Sequence, residues 1–170
     1  QENYDRHAYT LDENRPEAVA KRHSRGGRMP RENIAELMDA GSLKEYWPLV
    51  VARQHKRQDI ETLRKRTPGD GVVAGTGTIN ADLFGEEAAR AMVVHYDYTV
   101  LAGTQGARNH YKQDRMFELA LRFRMPIVLF GEGGGGRPGD DSTGPAVAFD
   151  THTFTQFSKL SGAVPMVGVN

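Results

Sequence analysis

The segment Gly131 to Gly139 holds six glycines, four of them consecutive, and it begins where the wholly apolar run Ile127-Val128-Leu129-Phe130 ends. Ordering such a run costs roughly 0.5–1 kcal/mol per glycine relative to alanine, so a folded chain keeps it only for a reason. A short continuous apolar run predicts a strand covered on both faces. In sheets of that kind, ligands bind beyond the carboxyl ends of the strands. Glycine there lets a ligand approach the main chain, and successive N–H groups can converge on one anion. A flexible surface loop is the competing reading, and the position after a buried strand argues against it. No Gly-Lys-Ser/Thr follows, so the loop is not a Walker A motif. The next helix starts too late, and without a glycine in register, for a dinucleotide fingerprint.

The rest of the chain supplies the elements around that loop. Residues 1–28 read as an irregular arm, polar and broken at Gly26-Gly27; the domain division is an arm over 1–25 and one partial domain over 26–170. Pro30 suits a first helical position, with Ile34, Leu37 and Met38 on one face and Gly41 closing the end. A second helix is expected from about Val51 to Arg66, ending at the turn cluster Thr67-Pro68-Gly69-Asp70. Val72 to Ile79 and Ala91 to Leu101 read as strands, joined by a connection that turns at Gly85. Asn109 is the expected cap of a helix whose buried stripe is Met116, Leu119, Ala120 and Phe123, ended by Pro126. Asp150 is expected to cap a helix from about Thr151 to Leu160, closed by Gly162, before a buried-type strand over Val164–Val169. The alternation predicts an α/β layered domain with largely parallel pairing.

Composition narrows the function. Lysine plus arginine balance aspartate plus glutamate, 22 against 22, so neither nucleic acid nor an anionic membrane is the expected partner. Cysteine is absent, which excludes disulfides, thiolate catalysis and a cysteine zinc ribbon. No metal site is expected. No apolar run approaches the roughly 20 residues of a bilayer span, no export signal opens the chain, and the cytoplasm is the default compartment. Gln1 in place of Met suggests an excised piece, a processed chain or a trimmed one. Basic groups crowd two stretches: Lys21, Arg22, Arg25, Arg28 and Arg31, then Arg53, Lys56, Arg57, Arg64, Lys65 and Arg66. They read as a solvated helix face and a flexible arm, or as a docking surface for phosphates or a neighbouring subunit. There is no G-x-S-x-G or H-E-x-x-H. The six histidines are scattered; each reads as a surface or structural residue, and His95 as a core histidine. What remains is main-chain chemistry, paired N–H groups that stabilise an oxyanion.

Joint spacing then becomes specific. Tyr96-Asp97-Tyr98-Thr99-Val100-Leu101-Ala102-Gly103-Thr104-Gln105-Gly106, a helix, Pro126–Phe130 and Glu132-Gly133-Gly134-Gly135-Gly136-Arg137 resemble the carboxyltransferase subunits of acetyl- and propionyl-CoA carboxylases. Arg28 to Asp39 and Asp70 to Ile79 look like that family's early helix and first strand. Likeness covers residues 26–170. Glu132, Gly133 and Gly136 stand where the family usually has Asp, Ser and Ala. In this the loop looks more like that of long single-chain carboxylases, in which carboxylase, biotin carrier and transferase are fused.

The resemblance implies a crotonase-like fold of stacked ββα units, of which this chain is the partial N-terminal carboxyltransferase domain. It implies the acyl-CoA-binding part of a biotin-dependent enzyme that moves a carboxyl group from carboxybiotin to the α-carbon of an acyl-CoA. The alternatives are an acyl-CoA decarboxylase of the same family and a non-catalytic CoA-binding or assembly module. Main-chain amides among Gly134, Gly135 and Gly136 would form the oxyanion hole. Gly103, Gln105, Gly106, Arg108, Lys112 and Arg137 would contact the acyl-CoA, Arg137 either at a phosphate or by orienting the loop. Implied partners are the biotin carboxyl carrier, the biotin carboxylase and the biotin-binding second half of a neighbouring subunit. The fragment is expected to be inactive alone, and to self-associate.

Overall fold

The computed structural model describes residues 1–141 and 152–170, so the expected cap at Asp150 lies outside the described residues. The chain opens with two helices, α1 (Glu2–Ala8) and α2 (Pro16–His23). The reading of an irregular arm over 1–25 is thereby corrected. Neither helix buries a residue, which is why no apolar periodicity marked them. Pro16 opens α2, Glu17 lies in its first turn and Lys21, Arg22 and His23 in its last, so proline and charge both match the helix ends. Arg15 fastens the segment: its Nη1 donates to Asp97 Oδ2 at 2.8 Å and its Nη2 to Thr99 Oγ1 at 2.5 Å.

Helix α3 (Pro30–Leu37) begins at Pro30 as expected and buries Ile34. A two-residue strand, β1 (Lys44–Glu45), follows. Helix α4 covers only Ile60–Arg66, because the Asp59 side chain accepts the Thr62 amide and starts the helix there. The preceding residues, expected to be helical, instead bury Val51 and Ala52, and the Ala52 amide donates to Thr67 Oγ1 at 3.0 Å.

Strands β2 (Val72–Thr78) and β3 (Arg90–Tyr96) flank the short helix α5 (Ala81–Phe84). Helix α6 (Ala107–Phe123), strand β4 (Ile127–Phe130), helix α7 (His152–Leu160) and strand β5 (Met166–Val169) complete the described residues. The sheet runs β1-β2-β3-β4-β5. Pairing is antiparallel up to β3 and parallel beyond it, so the expectation of largely parallel pairing is half right. The connection through α5 is too short for a crossover, and the chain returns antiparallel; α6 is long enough to carry it back in parallel. β2, β3 and α6 thus make a ββα unit.

Alternation in the strands sorts the core. Val72, Ala74, Met92 and Val94 face Met116, Phe117 and Ala120 of α6, with Ile127 and Leu160 alongside. Val73 and Val93 face the other way, onto Ile34 and Met38. Two covered faces explain the continuous apolar run of β4. Three expectations fail here. Phe123 is 60% exposed, and Phe117 takes its place in the core at 1%. β5 is an edge strand with mostly exposed residues rather than a buried one. Asn109 lies inside α6, whose N-cap is Gly106; the cap acceptors come from elsewhere in the chain. Among the described residues, no helix is long and apolar enough to cross a membrane.

Candidate functional site

The carboxyl ends of β3 and β4 and the start of β2 lie at one end of the sheet, since Val72 pairs with Tyr96 and His95 with Phe130. Two left-handed turns meet there. Gly69, Asp70 and Gly71 have φ of 62°, 49° and 75°, and Leu101, Ala102 and Gly103 have 50°, 55° and 65°. Left-handed Asp, Leu and Ala each carry strain of roughly 1–3 kcal/mol, which persists only where the surroundings enforce it.

The glycine loop is clipped onto the second turn. The Gly134 amide donates to the Ala102 carbonyl at 3.1 Å, the Gln105 amide to the Gly135 carbonyl at 2.8 Å, and the Arg137 amide to the Gln105 carbonyl at 2.8 Å. Gly103 and Gly133 sit face to face. A Cβ on Gly133 would collide with the Gly103 carbonyl oxygen, and one on Gly103 with that of Glu132. Gly135 has φ of +78° with open space where a Cβ would stand. The Gly135 and Gly136 amides have no hydrogen-bond partner among the described residues, and both residues are exposed.

Arg137 holds the end of the loop from within. It is 3% exposed. Its Nη1 donates to Asp70 Oδ1 at 2.5 Å, its Nη2 to the Thr104 carbonyl at 2.6 Å and its Nε to Thr104 Oγ1 at 3.3 Å. Burial pushes the Asp70 carboxyl above the usual carboxylate range, against the pull of the Arg137 guanidinium. The second oxygen of Asp70 accepts the Asn109 amide at 2.9 Å, and Asp140 Oδ2 accepts the Ala107 amide at 3.1 Å. Two distant carboxylates therefore satisfy the first turn of α6, the role expected of Asn109.

The expected site residues divide accordingly. Gly135 and Gly136 present amides that are unbonded among the described residues; the Gly134 amide is already bonded and leaves the set. Gly103 serves close packing. Gly106 lies against the Asp140 carboxylate, where a Cβ would not fit. Gln105 bonds the loop through its main chain on both sides. Arg108 spends one donor on the Val51 carbonyl at 3.2 Å. Lys112 is corrected: it is 1% exposed and its Nζ donates to the Val72 carbonyl, out of reach of any phosphate. Arg137, offered for a phosphate or for orienting the loop, is buried and spends its guanidinium on Asp70 and Thr104. His95 is a core histidine as expected, with Nδ1 donating to the Tyr96 carbonyl at 2.8 Å and Nε2 accepting from Asn33 at 2.9 Å. Burial holds its pKa below the usual value. No three His, Asp or Glu side chains among the described residues gather as metal ligands.

Beside the second turn opens a cleft of about 830 Å³, lined by Arg15, Lys21, Arg22, Arg25, Lys65 and Arg66 together with Tyr98, Leu101 and Ala102. Among the described residues, Glu17 is the one acid in its lining. The guanidinium of Arg22 lies 5.4 Å from the centroid of the Tyr98 ring and pairs with Glu132, at the head of the glycine loop. Both basic stretches were visible in the sequence. Their convergence was not, because α2 carries no apolar face that would have placed it.

The sequence profile described as "Carboxyl transferase domain" matches residues 21–169. The propionyl-CoA carboxylase beta chain of Saccharopolyspora erythraea is 30% identical over 152 residues, which cover 89% of this chain and 26% of that protein. The methylmalonyl-CoA carboxyltransferase 12S subunit of Propionibacterium freudenreichii subsp. shermanii is 32% identical, with 89% and 26% covered. This chain thus spans about a quarter of the length of these curated relatives. Among solved structures, a single-chain, multi-domain long-chain acyl-CoA carboxylase superposes with a TM-score of 0.92 at 57% identity, covering 98% of this chain and 16% of that one. A transcarboxylase 12S structure superposes at 0.62 with 26% identity, covering 89% and 27%. The fold is the crotonase-like one that the resemblance implied.

Proposed function

This chain belongs to the carboxyl transferase domain family, and from that premise we propose that it is the acyl-CoA-binding half of a biotin-dependent carboxyltransferase. The observation that carries the reading is the pair of exposed amides at Gly135 and Gly136, without a hydrogen-bond partner among the described residues and held at the carboxyl end of β4, with open space at Gly135. The thioester oxygen of the acyl-CoA lies against them. As the α-proton leaves, negative charge grows on that oxygen, and the two N–H groups meet it without having to reorganise. Each such donor is worth about 2.7–4 kcal/mol of barrier. No acid or base side chain is required of this half. Carboxybiotin, seated on the second half of a neighbouring subunit, supplies the carboxyl group and a nitrogen that takes the proton. The exposure of Gly133 to Gly136 leaves the loop open to such a partner.

The basic cleft takes the phosphates of CoA in place of Lys112 and Arg137. Six cations line it against Glu17, and the four not paired with Asp97 or Glu132 (Lys21, Arg25, Lys65 and Arg66) attract a polyanion; Leu101 and Ala102 carry the cleft to the Gly134 side of the loop. The likeness to a long-chain acyl-CoA carboxylase points to a fused parent enzyme and a long acyl chain as substrate. The test is Gly135→Ala in the assembled carboxyltransferase: the methyl group enters the open space at a φ that alanine resists. We expect kcat to fall about 10²-fold with the KM for acyl-CoA little changed. An unchanged kcat removes the loop from the chemistry.

A further inference from the structure

We propose that Asp70 is a positioning residue for carboxyl transfer, acting through Arg137 to hold the Gly135 and Gly136 amides on the substrate oxygen. The inference rests on the functional reading above. Asp70 lies far from the loop in sequence, 67 positions before Arg137, and is 0% exposed. Its backbone is held left-handed by its own amide, which donates to the Val50 and Thr67 carbonyls, both at 3.1 Å. Neither carboxylate oxygen is spare: one accepts from Arg137 and the other from the Asn109 amide.

The chain of consequence is short. Asp70 fixes the guanidinium, and the guanidinium fixes Thr104 through both its carbonyl and its hydroxyl. The next residue, Gln105, makes the two main-chain bonds that bracket Gly135 and Gly136. The direction of the Gly135 and Gly136 amides is therefore set by one buried ion pair joining both left-handed turns. Asp140 cannot substitute for Asp70. It stands 3.6 Å from Arg137, and its oxygens already take the Ala107 amide and the Gln54 side chain.

Asp70→Asn is the incisive variant, because asparagine tolerates a left-handed backbone well and differs only in charge and in one NH2 group. That NH2 must face a donor, either Arg137 or the Asn109 amide, so one of the two bonds fails. A displacement near 1 Å at a reacting centre costs about 10²-fold. In the assembled carboxyltransferase we expect kcat to drop by about that factor while the KM for acyl-CoA moves less than about threefold. Arg137→Ala should lose activity similarly and regain part of it with guanidinium added, and not with methylammonium, since only the planar cation refills the fork. If Asp70→Asn does not fold, Arg137→Lys, which keeps the charge and loses the fork, carries the same kcat test.

Hydrogen exchange at the bonded amides that clip the loop, those of Gln105 and Arg137, measured without substrate, should quicken in Asp70→Asn. The proposal is overturned if kcat is unchanged, if only KM rises, or if the loss of kcat matches the loss of folded enzyme. Absence of carboxyl transfer in the wild-type enzyme would sink the functional reading instead, and the exchange measurement would still decide the positioning claim.

Discussion

The two halves of α6 bury equally well and are chemically opposite. The first half buries Asn109, Lys112, Gln113 and Asp114; the second buries Met116, Phe117 and Ala120. In the first half every partner is a polar group from another element or another turn. Asn109 Nδ2 donates to the Asp70 carbonyl at 3.0 Å, Gln113 Nε2 to Asn109 Oδ1 at 2.6 Å, and the Tyr96 hydroxyl to Gln113 Oε1 at 2.8 Å. Burial pushes that hydroxyl up to about 12, so it remains a donor. Thr153 donates to Asp114 Oδ1 at 2.6 Å. Such a network is stable only when every member is satisfied, and its directionality then fixes one arrangement. The second half makes non-directional contacts that supply bulk stability. The difference teaches where precision is needed: the polar half lies under the glycine loop, and the apolar half lies away from it.

The sharpest attack on this division is Phe117→Ala. It should cost about 3–5 kcal/mol of folding stability, read by urea unfolding, while kcat per folded enzyme stays at the wild-type level. A kcat loss beyond the folded fraction would show that the halves are not separable.

Next in size is the pH response of Lys112, which burial pushes down to about 8 from an ordinary 10.5. Between those values the unfolded chain binds more protons than the folded one, so stability contributed by this residue rises with pH. Wild type should gain up to about 3 kcal/mol over Lys112→Met between pH 8 and 10.5. Parallel stability curves for the two proteins would place the ammonium in a wetter site than the polar half provides. The smallest effect belongs to Phe123→Ala, where the exposed ring should leave stability within about 0.5 kcal/mol; a thermal shift of the size seen for Phe117→Ala would mean that the apolar stripe continues to the helix end.

The last prediction also marks where sequence periodicity misled. Met116, Leu119, Ala120 and Phe123 repeat with helical spacing, and Phe117 does not belong to that series. Helical spacing identifies a helix and a rough stripe, whereas the orientation of the stripe depends on what packs against it, here Val72, Met92 and Leu160. Asn109 misled for a related reason. A cap acceptor need not be local, and at α6 two carboxylates from other loops arrive first. The stretch before α4 was read as helix because its residues permit one; Asp59 and the burial of Val51 and Ala52 decided otherwise.

Local chemistry determined the strand Ile127–Phe130, the start of α3 at Pro30, the glycine loop placed at a strand's carboxyl end, and the ordered series of motifs that marked the family. All of these depend on neighbouring residues or on spacing along the chain. Tertiary structure alone decided that Gly134 is spoken for while Gly135 and Gly136 have no partner among the described residues, that Arg137 turns inward to Asp70, and that Lys21, Arg22 and Arg25 share a cleft with Lys65 and Arg66. Hydrogen-bond partners and shared charge depend on distance in space, and folding sets that distance between residues whose separation along the chain carries no signal of it.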